Sequence, residues 1–259
     1  SGESPTMSPY LHSLLAWLAT PLTDRRIDES GLPPLIFSAC NWYNDWKAPT
    51  IMELATRYPD SQVIVVGGLG RLASQEAHEA FGEGYDMGNR LTALGLSPHR
   101  LTAIGCRECA AVDGSNCGCV GTTGFNMDRL LDMVRAEAEQ GERRLGGGRR
   151  LLVVEESLLV RRVFATMLGR LRGEAAAEFG AVEMVAPARS VEEVLARHGD
   201  EKGEQLLWAE VDRLLRYSST EFEGGLHLYN TDDFLRSPED TAYFEALLKN
   251  VTVHRRSEL

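Results

Sequence analysis

The chain has 259 residues, 43% of them hydrophobic and 25% charged, which suits one large α/β domain or a domain with a smaller lobe and excludes a disordered or low-complexity class. Its 27 basic residues are outnumbered by 38 acidic ones, a net charge of −11, so no broad basic face is available to a nucleic-acid backbone or to anionic lipid. No apolar run reaches the 18 residues that a membrane span requires.

Leu11, Leu14, Leu15 and Leu18 recur at helical spacing and predict an amphipathic helix over 8–19. The stretch around it lacks a basic flank and a small-residue cleavage site, so no secretory signal is read and a cytoplasmic location is expected. Pro21, Gly31, Pro33 and Pro34, set among charges, predict an irregular connection over 20–34. The apolar run Leu35 to Cys40 predicts a buried strand ending at Asn41. Pro49 is placed as the first residue of a helix running through Ile51, Leu54, Ala55 and Tyr58. Val63 to Val66 is the strongest strand, followed at once by Gly67-Gly68-Leu69-Gly70. A helix over 86–94, a strand over 101–104, a loop rich in glycine and cysteine over 105–124 and a helix over 127–140 come next. Beyond the triple glycine 146–148, a strand is predicted over 151–154, a basic amphipathic helix over 160–171 and a strand over 182–185. The remainder is mainly helical, notably 206–217 and 241–249. Strand and helix alternate with crossovers long enough for a parallel sheet covered on both faces. The chain therefore divides into an N-terminal helix and connection (1–34), an α/β core (35–190) and a mainly helical C-terminal lobe (191–259).

Gly68-x-Gly70-x-x-Ala73 satisfies a variant of the dinucleotide fingerprint, in which glycines let backbone N–H groups approach a ligand. The strand before it is not the first of the sheet, however, and no acidic residue closes a following strand about 20 positions on, where ribose recognition would need it. A glycine turn facing some ligand is the better reading, against a plain strand-to-helix turn with positive φ. No Lys-Ser/Thr pair follows, so a P-loop is excluded, and no Gly-x-Ser-x-Gly nucleophile turn occurs. Glu76, Glu79, Glu83 and Asp86 follow the glycines; most belong to a solvated helix face, and one of the four could reach into a cleft at the carboxyl edge of the sheet. Arg161 and Arg162 open a helix after the fourth predicted strand, either as exposed cations or with one meeting an anion through a bidentate contact. Cys106, Cys109, Cys117 and Cys119 crowd fourteen residues. Reduced inert thiols, a redox disulfide and a structural zinc site all fit that spacing; zinc would take all four thiolates and leave no open position for water.

The order of these parts resembles the SanA/YdcF/ElyC-type family, and most of all its soluble YdcF branch. The resemblance rests on Asn41 after the first core strand, Ala48-Pro49-Thr50-Ile51, Val65-Val66-Gly67-Gly68-Leu69-Gly70, Glu83 and Gly95-Leu96-Ser97-Pro98-His99. It continues through Thr122-Thr123-Gly124-Phe125-Asn126 and Leu152-Val153-Val154 to Arg161-Arg162-Val163-Phe164-Ala165, covering about residues 10–190. Phe125 stands where members often carry Glu, and Leu158 where many carry His. The resemblance implies a Rossmann-like three-layer α/β sandwich with a mostly parallel sheet and a cleft at the carboxyl ends of its strands. It also implies a nucleotide-type ligand, with S-adenosylmethionine the expected cofactor; no membrane anchor is read in the sequence, which favours this branch over the membrane-anchored ones. The matching binding positions are Asn41, Gly67, Gly68, Glu83, Thr123, Asn126 and Arg161, with Gly70 added from the glycine turn. In the expected mode the glycines supply backbone donors, the asparagines bind polar atoms, Glu83 takes a ribose hydroxyl or a cation, and Arg161 takes a carboxylate or phosphate. Glu83 and Arg161 would then converge on one cleft. The alternatives are a hydrolase or transferase acting on a phosphorylated envelope or lipid-carrier precursor, and a non-catalytic structural or regulatory module.

Overall fold

The computed structural model describes residues 9–26, 31–68, 82–105, 123–142, 144–172, 178–220 and 227–257. In chain order the elements are α1 (Pro9–Leu18), β1 (Thr23–Arg25), β2 (Leu35–Ala39), α2 (Asn44–Arg57), β3 (Val63–Val66), α3 (Glu83–Ala93) and β4 (Leu101–Ile104). They continue with α4 (Thr123–Glu139), β5 (Arg149–Val154), α5 (Val160–Arg170), β6 (Phe179–Val185), α6 (Val191–His198), α7 (Asp200–Ser218) and α8 (Pro238–Ser257).

The strands form one sheet in the order β1-β6-β5-β2-β3-β4. Every neighbouring pair is parallel except β1 with β6. The central strands are short runs of Leu, Ile, Val and Phe with no polar alternation, because side chains leave a strand to both faces and both faces are covered. Ile36, Val63, Val65, Leu152 and Val154 point to one side and pack on Ile51, Leu54 and Ala55 of α2 and on Met87 and Leu91 of α3. Leu35, Phe37, Ile64, Val66, Leu151 and Val153 point to the other and join a larger core with α1, α4, α5, α6, α7 and α8. The fold is thus an α/β sandwich of three layers with a mostly parallel sheet, as the alternation predicts.

Several boundaries differ from the sequence reading. The 20–34 connection contains the edge strand β1, whose three polar residues pair Thr23 with Glu183 and Arg25 with Ala181. So short a strand carries no hydrophobic period, and backbone pairing alone creates it. The second helix starts at Asn44, so Pro49 lies inside it instead of at its first residue. Proline there leaves one carbonyl without its helical N–H, and the turn before it is held by the buried side chains of Asn44 and Lys47. The helix expected from Asp86 starts three residues earlier, at Glu83, because Gly84 nests against the sheet.

Candidate functional site

From β2 the chain passes to β3 and β4 on one side of the sheet, and then returns to β5 and β6 on the other. In open α/β sheets a crevice forms where the order reverses, outside the carboxyl ends of the two strands concerned. Here those ends carry Cys40 and Asn41 after β2, and Glu155 and Glu156 after β5.

At this edge of the sheet lies a buried ion pair. Lys47, fully buried, donates through Nζ to Glu155 Oε1 at 3.0 Å and to the Ala39 carbonyl at 2.7 Å. The same Glu155 oxygen accepts from Asn41 Nδ2 at 3.1 Å and from the Glu156 backbone N–H at 2.9 Å. A buried ion pair survives desolvation only when hydrogen bonds satisfy its remaining atoms, and these contacts do so. Asn41 is fixed from every side: its Oδ1 accepts from the Tyr43 N–H at 3.0 Å, and its own N–H donates to Asn44 Oδ1 at 3.1 Å. Asn44 Nδ2 in turn donates to the Glu83 carbonyl at 2.7 Å and to Asp86 Oδ2 at 3.0 Å. This network ties the start of α2 to the start of α3.

The carboxylates of the crevice are not equally balanced. Glu155 has Lys47, and Asp86 has Arg90 at 2.9 Å. Glu83 has no ion-pair partner among the described residues. Burial pushes its carboxyl up to about 7; Lys47 opposes the shift, and the negative charges of Glu155 and Asp86 add to it. Burial likewise pushes Glu156 up to about 7, against its hydrogen bond from the Ser157 N–H and the charge of Arg189. Glu156 is fully buried, and its Oε2 has no hydrogen-bond partner among the described residues. A carboxyl poised near neutrality can donate or accept a hydrogen bond when protonated and can face a cation when ionised. Cys40, beside them, is inert at neutral pH: burial pushes its thiol up to about 12.

The glycines of the expected ligand turn have a different local role. The Gly67 N–H donates to the Ile104 carbonyl at 3.0 Å, so it is not offered to a ligand. A Cβ on Gly67 would meet Cys40 Cβ at 2.7 Å and Glu83 Cβ at 3.1 Å, which makes this glycine a requirement of close packing beneath Glu83. Gly68 is buried, its carbonyl accepts from the Glu83 N–H at 3.4 Å, and neither glycine has positive φ.

Asn41, Gly67 and Glu83 therefore come together. Asn126 lies in the first turn of α4, a helix packed on the opposite face of the sheet; it is 3% exposed and its Oδ1 has no partner among the described residues. Thr123 is the first residue of α4, and its side chain lies outside the described residues, as do Gly70, Cys106, Cys109, Cys117 and Cys119. Among the described residues, no group of three or more His, Cys, Asp or Glu side chains is arranged to hold a metal.

Arg161 corrects the expectation of convergence. It is fully buried, and its Nε, Nη1 and Nη2 donate to the Trp17 carbonyl at 2.5 Å, the Phe234 carbonyl at 2.7 Å and Asp240 Oδ1 at 2.6 Å. Its guanidinium also lies 4.1 Å from the centre of the Trp17 ring. With every nitrogen engaged, it joins α5 to α1 and α8 and has no access to a cleft ligand. Arg162, at the next position, pairs with the buried Glu210 at 2.6 Å.

Lys47, Asn44, Glu155 and Glu156 were missed by sequence reasoning, although signals existed. Lys47 falls on the apolar stripe of α2 with Ile51, Leu54 and Ala55, where a lysine needs a buried partner. Glu155 and Glu156 directly follow the carboxyl end of a predicted strand, the edge at which such sheets bind ligands. Among the described residues, no helix is long and apolar enough to cross a membrane. Compared with known proteins, the chain matches no family model and no curated protein.

Proposed function

We propose that this chain binds a nucleoside-type small molecule with a cationic group, S-adenosylmethionine being the chosen case, in the crevice between the ends of β2 and β5. The observation that carries the reading is Glu83, a carboxyl without an ion-pair partner among the described residues, beside a locked network of Asn41, Asn44, Lys47 and Glu155. Locking the neighbours fixes where a ligand's polar atoms can sit, and preorganisation of this kind lowers the entropic cost of binding. With Glu155 paired to Lys47 and Asp86 paired to Arg90, Glu83 is left as the carboxyl without a counter-cation among the described residues, which favours a sulfonium or amine over a phosphate. Glu83 takes that cation or a ribose hydroxyl, and Gly67 lets Glu83 pack closely over the end of β3. The identity of the ligand follows from the resemblance to the YdcF branch.

A hydrolase or transferase working on a phosphorylated precursor has less support, because the arginine expected to meet the phosphate is held elsewhere. A calorimetric titration tests the reading. S-adenosylmethionine is expected to bind more tightly than S-adenosylhomocysteine, which lacks the sulfonium. The preference is expected to grow between about pH 6 and about pH 8 as Glu83 ionises, and to fall by roughly tenfold in Glu83→Gln. Absence of heat with both compounds overturns the proposal.

A further inference from the structure

We infer that Trp42 is the platform on which the planar ring of the crevice ligand stacks; the inference rests on the nucleoside reading above and assigns the base its place. Trp42 directly follows Asn41, so its backbone stands at the carboxyl edge of the sheet beside the polar network. It is 65% exposed, and no other Phe, Tyr or Trp side chain among the described residues is exposed. An indole left in water forgoes one of the largest apolar burials a side chain can make.

Among the described residues, no ring is stacked parallel on Trp42. His198 lies near-perpendicular to it, with ring centres 6.4 Å apart and planes at 72°, and Tyr43 lies 6.5 Å away at 52°. The cations nearby stack on other rings: Arg197 lies 5.1 Å from the centre of Tyr43 and 4.4 Å from that of Trp46, and Arg189 lies 4.4 Å from that of Trp46. No arginine among the described residues lies over Trp42.

The backbone that carries the ring is nevertheless held in place. The Trp42 carbonyl accepts from Arg197 Nη2, and Arg197 is itself gripped by both oxygens of Asp45, at 2.8 and 3.0 Å. A largely exposed aromatic ring on a held backbone, one residue from the polar network, suits a planar base whose sugar or cationic end reaches Asn41 and Glu83. Stacking on an aromatic plate tolerates any base, because every base has a π face. The platform accordingly supplies affinity for a nucleoside without choosing among bases.

The experiment compares the full chain with Trp42→Ala and Trp42→Phe, using S-adenosylmethionine, adenosine and L-methionine as probes and calorimetry as the readout. Far-ultraviolet circular dichroism checks that each variant is folded. Trp42→Ala is expected to weaken S-adenosylmethionine and adenosine by roughly tenfold or more, and Trp42→Phe to retain affinity within about threefold. L-methionine, which has no ring, is expected to behave alike in all three proteins. A folded Trp42→Ala protein that binds both nucleosides as the unmodified chain does overturns the platform and leaves the functional reading standing. Equal loss for L-methionine also overturns it, since it would mark a general disturbance of the crevice. An unmodified chain that binds neither nucleoside overturns both.

Discussion

Glu83 and Glu156 illustrate how burial converts an ordinary side chain into a responsive one. Both carboxyls titrate near 7 in the folded chain, against an ordinary value of 4.5. Between those values the folded state keeps protons that the unfolded state has released, so stability is full at low pH and falls as pH rises through about 7. His198 acts in the opposite sense: burial and the charges of Arg197 and Lys202 hold its pKa down, so its contribution grows as pH rises toward 6.5. The two effects are separated by substitution. Thermal unfolding of Glu83→Gln and Glu156→Gln is expected to show a smaller loss of Tm between about pH 5 and about pH 8 than the parent, by roughly 2–4 °C for each kcal/mol relieved. If the double variant kept the parent's slope, these carboxyls would not be its source.

At the scale of one element, α3 shows how a helix is brought close enough to place a side chain. Its inner face presents Gly84 and Gly88 to β4, with Met87 and Leu91 in the core between and beyond them. A Cβ on Gly84 would sit 1.9 Å from the Ile104 carbonyl oxygen, whereas one on Gly88 would meet Ala103 Cβ at 2.8 Å. Backbone cannot yield as a side chain can, so the two substitutions are expected to differ. Gly88→Ala should cost about 1–3 kcal/mol in urea unfolding and be largely rescued by Ala103→Gly, while Gly84→Ala should cost more and have no such rescue. Gly84→Ala should also displace Glu83 and weaken any ligand held there, an outcome that titration at matched folded fraction would reveal. Equal costs for the two variants would contradict this account of how α3 packs. The same contact explains why the helix begins earlier than its amphipathic pattern: Gly84 has no side chain to enter a period, and its place is set by what it touches.

Across the whole molecule, Arg161 connects layers that are distant in sequence. Its three donors reach residues 144, 73 and 79 positions away. Asp240, its acidic partner, also accepts from Trp17 Nε1 at 3.1 Å and from the Arg236 N–H at 3.0 Å. Burial pushes the Asp240 carboxyl up, but these bonds and the charge of Arg161 hold it below its ordinary value. Removing the guanidinium would leave two carbonyls and a carboxylate short of donors in a buried place. Arg161→Met is therefore expected to cost about 3–5 kcal/mol and to lower amide protection in α1 and in the first half of α8. Arg161→Lys should recover little, because one ammonium cannot span three acceptors set in a fork. Ligand affinity measured under conditions where the variant is folded should not change, which separates the clamp from the anion-binding role that the motif suggested.

The hydrophobic periods were enough to locate every central strand and the order of helices between them. Val63–Val66 falls where its apolar run stands, since a strand covered on both faces must be apolar throughout, and Leu101–Ile104, a half-buried strand at the end of the sheet order, is marked by its own short run. That Asn41 stands at the carboxyl end of β2 was legible as well, because it directly follows the apolar run of that strand. The edge strand β1 was not, for three polar residues pair only through their backbone. Nor could the sequence show that Lys47 and Glu155, 108 positions apart, would meet. Arg161 was misjudged for the same reason: a residue's type tells which bonds it can make, and only the packed chain decides which acceptors surround it. Local periodicity determined the elements of this protein, whereas the partners of its buried charges were decided by a tertiary structure that desolvates them and obliges each to be satisfied.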